Sequence, residues 1–174
     1  KNFGVSLLNN KNNWYTLDSL STPFEDTSFV IKQVAGELKE LQGVWMSFAE
    51  QVKNGTSLQF TSNQPVKLLV GYFKTQRGAF VTDTLFLKEP ELETNAGADD
   101  YGQSDIKISN AVAIDGLPPV NIHSYSFPSG THELKLGKGI CLVLGFVKGD
   151  QVIPVYDAGL MSDKRSLSVD WLFE

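Results

Sequence analysis

"VKLLVGYF", Val66–Phe73, decides the fold. Read at a period of two, Val66, Leu68, Val70 and Tyr72 fall on one side and Leu69 and Phe73 on the other. Both sides are apolar. A strand with two apolar sides has protein on both of its faces, so it belongs in the middle of a sheet. "ICLVLGFV", Ile140–Val147, has the same character. Two such strands should both lie mid-sheet.

The neighbouring segments extend the pattern. "SLQF" (Ser57–Phe60) alternates. "DIKISNAVAI" puts Ile106, Ile108, Val112 and Ile114 on one face, interrupted by Asn110. "QVIPVY" follows a Gly149-Asp150 pair, a tight-hairpin signal. "SLSVDWLF" sets Leu167, Val169, Trp171 and Phe173 opposite Asp170, as in a terminal strand that buries Trp171. Asn54-Gly55, Gly116 with Pro118-Pro119, Pro128-Ser129-Gly130 and Gly137-Lys138-Gly139 supply turns. Pro154 belongs near an edge or bulge, because it cannot donate to a ladder. "GELKELQG" and "FAEQVKNG" can each hold only a turn or two of helix. The expectation is an all-β, two-sheet antiparallel β-sandwich, jelly-roll-like, with one or two short helical turns.

Composition limits the function classes. The chain has 174 residues, 41% hydrophobic and 20% charged, which suits one domain over 1–174 with a sizeable core. Its net charge of −5 and its lack of a basic stripe argue against nucleic acid. No apolar run is long enough to span a membrane. The single cysteine, Cys141, excludes an intramolecular disulfide and a cysteine-based zinc site. It lies in an apolar run and reads as a small buried residue. The chain opens on Lys1 without a Met, as a processed product or an excised fragment of a larger protein does.

The most unusual polar stretch is "KEPELETNAGADDYGQSD", Lys88–Asp105, with six carboxylates. Three readings are open. It can be a solvated loop. It can be a calcium loop, with Glu93, Asn95, Asp99, Asp100 and Asp105 as oxygen ligands, although the spacing is not that of an EF-hand. Or it can contact sugar, with Asp99, Asp100 and Gln103 hydrogen-bonding hydroxyls and Tyr101 stacking on a ring. Glycosidase chemistry would need two carboxylates about 5–10 Å apart, and spacing identifies no such pair within Glu89–Asp105.

"VNIHSYSFPSGTHELKL", Val120–Leu136, reads as a hairpin around Pro128–Gly130. In one register His123, Tyr125 and Phe127 form an aromatic platform able to bind sugar. Shifted by one residue, Tyr125 and Phe127 join Leu134 in the core. His123 and His132 are too few for a metal site unless acids from elsewhere in the chain join them. Trp14 follows a polar Asn/Lys run, which suits an exposed ring for stacking, whereas Trp45 and Trp171 suit the core. No Ser-His-Asp arrangement, GxSxG, P-loop or GxGxxG is present. The Asn54-Gly55-Thr56 sequon reads as a turn outside a eukaryotic secretory setting.

"PVKLLVGYF", "LETNAGADDYGQ", "GLPPVNIHSYSFPSGTHELKLGKGICLVLGF" and the closing "VDWLFE" together resemble β-sandwich accessory domains of secreted polysaccharide-processing proteins of the gut Bacteroidetes type. The resemblance covers Val66 to Glu174 and carries over no ligand-binding motif. It implies an extracytoplasmic setting, a glycan or a neighbouring catalytic domain as partner, and a larger parent chain. Three functions follow: a non-catalytic carbohydrate-associated module, a structural domain bracing a catalytic neighbour, and a small glycoside hydrolase working through the acidic loop.

Overall fold

The computed structural model describes residues 4–9, 13–39, 41–74 and 106–160. Within them the chain is an all-β sandwich. One sheet has three strands in the order β1 (Val5–Leu7), β5 (Thr56–Ser62), β9 (Gly130–Leu136). The other runs β11 (Tyr156–Asp157), β7 (Ile106–Ile114), β8 (Val120–Phe127), β6 (Val66–Phe73), β10 (Cys141–Lys148), β4 (Gln42–Val44), β2 (Trp14–Thr16), with β3 (Ile31–Val34) also on β7. The named pairs are antiparallel except β11 on β7. A 3-10 turn at Gly36–Leu38 and the six-residue helix α1 (Phe48–Lys53) are the helical pieces among the described residues.

The central strands sit where their composition puts them. β6 lies between β8 and β10 and is buried along nearly its whole length. Its even positions, Leu68, Val70 and Tyr72, pack against Leu58, Phe60 and Leu134 of the small sheet. Its odd positions, Leu69 and Phe73, face a second core with Leu17, Phe24, Leu38 and Ile31. The large sheet is therefore covered twice: by a regular sheet on one face, and on the other by the irregular chain flanking β3, which carries Leu17, Phe24 and Leu38.

Strict alternation fails in two strands, β10 and β7. In β10, Cys141 and Val143 face the small sheet and Leu142 and Leu144 the second core. Register then shifts between Val143 and Gly145, so Phe146 joins the small-sheet side, where simple parity would put it with Leu142. Gly145 has φ +127, and a β-carbon there would lie 2.6 Å from the Gln42 carbonyl oxygen. Only glycine fits. In β7 the break is Asn110, at φ 50, with register shifts on either side of Ile108. Ile108, Val112 and Ile114 reach the second core as expected, but Ile106 is 42% exposed.

Two expected hairpins are not formed. β8 pairs with β6 and β7, while β9 pairs with β5, so Pro128-Ser129-Gly130 carries the chain from one sheet to the other. After β10 the chain turns at Gly149-Asp150, but it then runs on to lie parallel to β7. Pro154 lies in the unpaired stretch before this short edge strand. "SLSVDWLF" and Trp171 lie outside the described residues.

Candidate functional site

A cleft of ≈ 540 Å³ opens where α1 meets the ends of β1, β5 and β9. Local capping builds it. Ser47 is the N-cap of α1: its hydroxyl accepts from the Glu50 amide at 3.1 Å and donates to Asp26 at 2.8 Å. Asp26 also accepts from the amides of Phe48 (2.7 Å) and Ala49 (3.0 Å). The Glu25 amide donates to the Met46 carbonyl at 3.1 Å, and Phe24 meets the Phe48 ring edge-on at 5.0 Å. These contacts put Glu25, from a loop, and Glu50, from the helix, along the same cleft.

Burial acts to raise the Asp26 pKa, but the Ala49 and Phe48 amides, the Ser47 hydroxyl and its own amide together outweigh it. The group is held below the ordinary carboxylate range.

The floor is Gln51, 1% exposed. Its amide oxygen accepts from the Cys141 backbone N–H and its amide nitrogen donates to the Cys141 carbonyl, both at 3.2 Å. The side chain thus substitutes for a ladder partner at the start of β10. Cys141 is buried beneath it, and desolvation pushes its thiol up to about 12 even though hydrogen bonds from Thr56 and Gln51 act the other way. At the helix exit Gly55 takes φ +94, where a β-carbon would collide with the Leu136 carbonyl. The far wall is Asn9, which donates to the Ser57 carbonyl at 3.0 Å and accepts from the Gln59 amide at 2.8 Å. Asn54 donates to Glu50 at 2.7 Å. Lys135, on β9, contributes an ammonium group.

The sequence places no site here, because the lining comes from several distant segments. One signal does point to it. Ser47-Phe48-Ala49-Glu50 has the S-x-x-E spacing that marks a helix start.

The residues expected to bind ligand are placed differently. Tyr125 is wholly buried and Tyr125 and Phe127 share the core with Leu134, the packing alternative of the two registers. His123 is 5% exposed on the same face, with its ring edge-on to Tyr72 at 4.8 Å, and the Tyr72 and Tyr125 hydroxyls meet at 3.0 Å. Trp14 is half-buried on β2 and sits edge-on to Phe146 at 6.2 Å, against the core instead of standing free. Trp45, expected in the core, is half-buried. It stacks on Tyr15 and donates its indole N–H to the Thr22 carbonyl at 2.6 Å. Glu93, Asn95, Asp99, Asp100, Tyr101, Gln103 and Asp105 lie outside the described residues, as does the whole Glu89–Asp105 loop. Among the described residues no group of three or more His, Cys, Asp or Glu could hold a metal ion, and no helix is long and apolar enough to cross a membrane.

A second polar cluster lies at the β7–β11 edge. Asn110 donates to Asp157 at 2.9 Å and its amide N–H donates to Asn121 at 3.0 Å. The Asn110 side chain and then the Gly159 amide hold the Asp157 carboxyl below its ordinary range. These bonds fix the left-handed turn of β7 in place.

No protein-family model matches the chain, and no curated protein matches it. A solved structure does. The chain is similar to a GH138 enzyme targeting pectin rhamnogalacturonan II, with 32% identity and a TM-score of 0.74 over 92% of this chain. This chain spans 18% of the length of that enzyme. It therefore resembles one part of a polysaccharide-targeting protein.

Proposed function

We propose that the chain is a non-catalytic, carbohydrate-associated accessory module of a larger, extracytoplasmic polysaccharide-processing protein. The observation that carries this is the asymmetry of the likeness: nearly all of this chain corresponds to less than a fifth of a glycoside hydrolase. A separate β-sandwich appended to a catalytic region would give that pattern. The test is incubation of the 174-residue chain with rhamnogalacturonan II and other pectic polysaccharides, with released oligosaccharides followed by chromatography. The expected outcome is no release over the time in which a pectin-degrading enzyme depolymerises the same sample. Turnover abolished by Glu25→Gln or Glu50→Gln would overturn the reading.

The second reading is a bracing role against a catalytic neighbour. Burial of His123 and Tyr125 supports it, since it removes the aromatic platform from a ligand's reach. The apolar strip of Val152 and Val155, 80% and 71% exposed, beside the half-open Tyr156, also supports it. Affinity electrophoresis separates the two roles, because a binding module is retarded by polysaccharide in the gel and a brace is not.

A further inference from the structure

We propose that the cleft between α1 and the β5–β9 edge binds a neutral saccharide. This rests on the carbohydrate-associated reading above and names the place and the ligand class. The volume, ≈ 540 Å³, falls within the range of small-ligand sites, roughly 300–1,000 Å³.

The chemistry of the walls selects hydroxyl groups. The Glu25 and Glu50 carboxylates accept hydrogen bonds, the Lys135 ammonium donates them, and the Asn9 and Asn54 amides do both. A sugar ring presents adjacent hydroxyls that each donate and accept, so a mixed set of this kind can serve them in pairs. No aromatic ring lines the cleft among the described residues, so recognition there runs through hydrogen bonds and not through stacking.

The walls are also held still before any ligand arrives. Asn9 is tied at both ends of its amide to β5, and Glu50 is tied to Asn54. The floor is locked to β10 through Gln51. Side chains fixed in this way lose little freedom on binding. Two carboxylates against one ammonium, on a chain of net charge −5, set the sign of the selectivity. An acidic sugar would meet its own charge, so uronates are turned away and neutral sugars admitted.

The experiment is affinity electrophoresis and titration calorimetry of the full chain with neutral galactose- and arabinose-based oligosaccharides and a galacturonate oligomer of matched length. Expected is binding of a neutral oligosaccharide, unchanged between low and high salt, with the galacturonate at least tenfold weaker. Glu50→Gln and Lys135→Met should each weaken neutral binding about tenfold while melting as the parent does. Glu25→Lys should raise galacturonate binding, a gain that loss of fold cannot mimic. Tighter binding of galacturonate by the parent chain, or neutral binding untouched by all three substitutions, overturns the inference and leaves the accessory reading standing. Absence of binding to every oligosaccharide also overturns it and leaves the bracing role. Cleavage of the oligosaccharides would instead overturn the accessory reading itself.

Discussion

The two faces of the β6–β8–β10 sheet are covered by different means. On one side a regular three-stranded sheet brings Phe60 against Phe127 and Phe146 at ring separations of 5.0 and 4.9 Å, with Tyr72 and Tyr125 beside them. On the other side the cover is mostly aliphatic and much of it is irregular chain: Leu17, Phe24 and Leu38 lie on loops or on a 3-10 turn. Rings interlocked between two fixed sheets have little room to relax. Leucines on connecting segments can follow a lost neighbour inward. Equal burial should therefore convert into unequal stability.

The largest effect expected is from Phe60→Ala, a loss of about 3–5 kcal/mol measured by denaturant unfolding. Leu38→Ala, equally buried, should fall at the low end of its class, about 2 kcal/mol. Equal losses at the two sites would break the comparison. Next is Gly145→Ala. Its φ of +127 and the approach to the Gln42 carbonyl should cost about 2–3 kcal/mol, and the bulge that turns Phe146 toward the aromatic side should loosen. A change within about 0.5 kcal/mol of zero would show that β10 does not need the bulge.

The smallest effect concerns Asp26, which clamps an irregular segment onto α1. Its folded pKa lies below the unfolded value, so its contribution is complete above the ordinary carboxylate pKa and is lost as pH falls through the lowered one. Because the group is exposed, the contribution is about 0.5–1 kcal/mol. Asp26→Asn should melt below the parent at neutral pH, and the gap should close in strong acid. A gap that is constant with pH would assign the loss to geometry and not to charge.

Legibility in the sequence followed the same division. "VKLLVGYF" reveals its strand, its central place and both of its faces, because period-two burial is a local property. "FAEQVKNG" reveals α1 within its own glycine boundary. Phe146 departs from simple parity at the Gly145 bulge, and Ile106 departs from its expected face at the register shift between Ile106 and Ile108. Gly145 and Asn110 interrupt their segments, as residues at bulges do, but neither says on which side the chain beyond or before it falls. Pro128-Ser129-Gly130 has the chemistry of a hairpin turn, and the same chemistry serves equally well for a crossing between layers. The cleft is invisible for a third reason. Asn9, Glu25, Glu50 and Lys135 are neighbours only through tertiary structure, and none of them stands out where it occurs.

That crossing has a consequence for how the molecule is assembled. β1 leads into β2, β5 into β6, β8 into β9 and β9 into β10, so each strand of the small sheet adjoins in sequence a strand of the large one. Neither layer can be completed before the other has begun, and both must wait for partners far apart along the polypeptide. Such a weave favours slow acquisition of structure. It also favours failure as a unit: a nick in either layer unseats both.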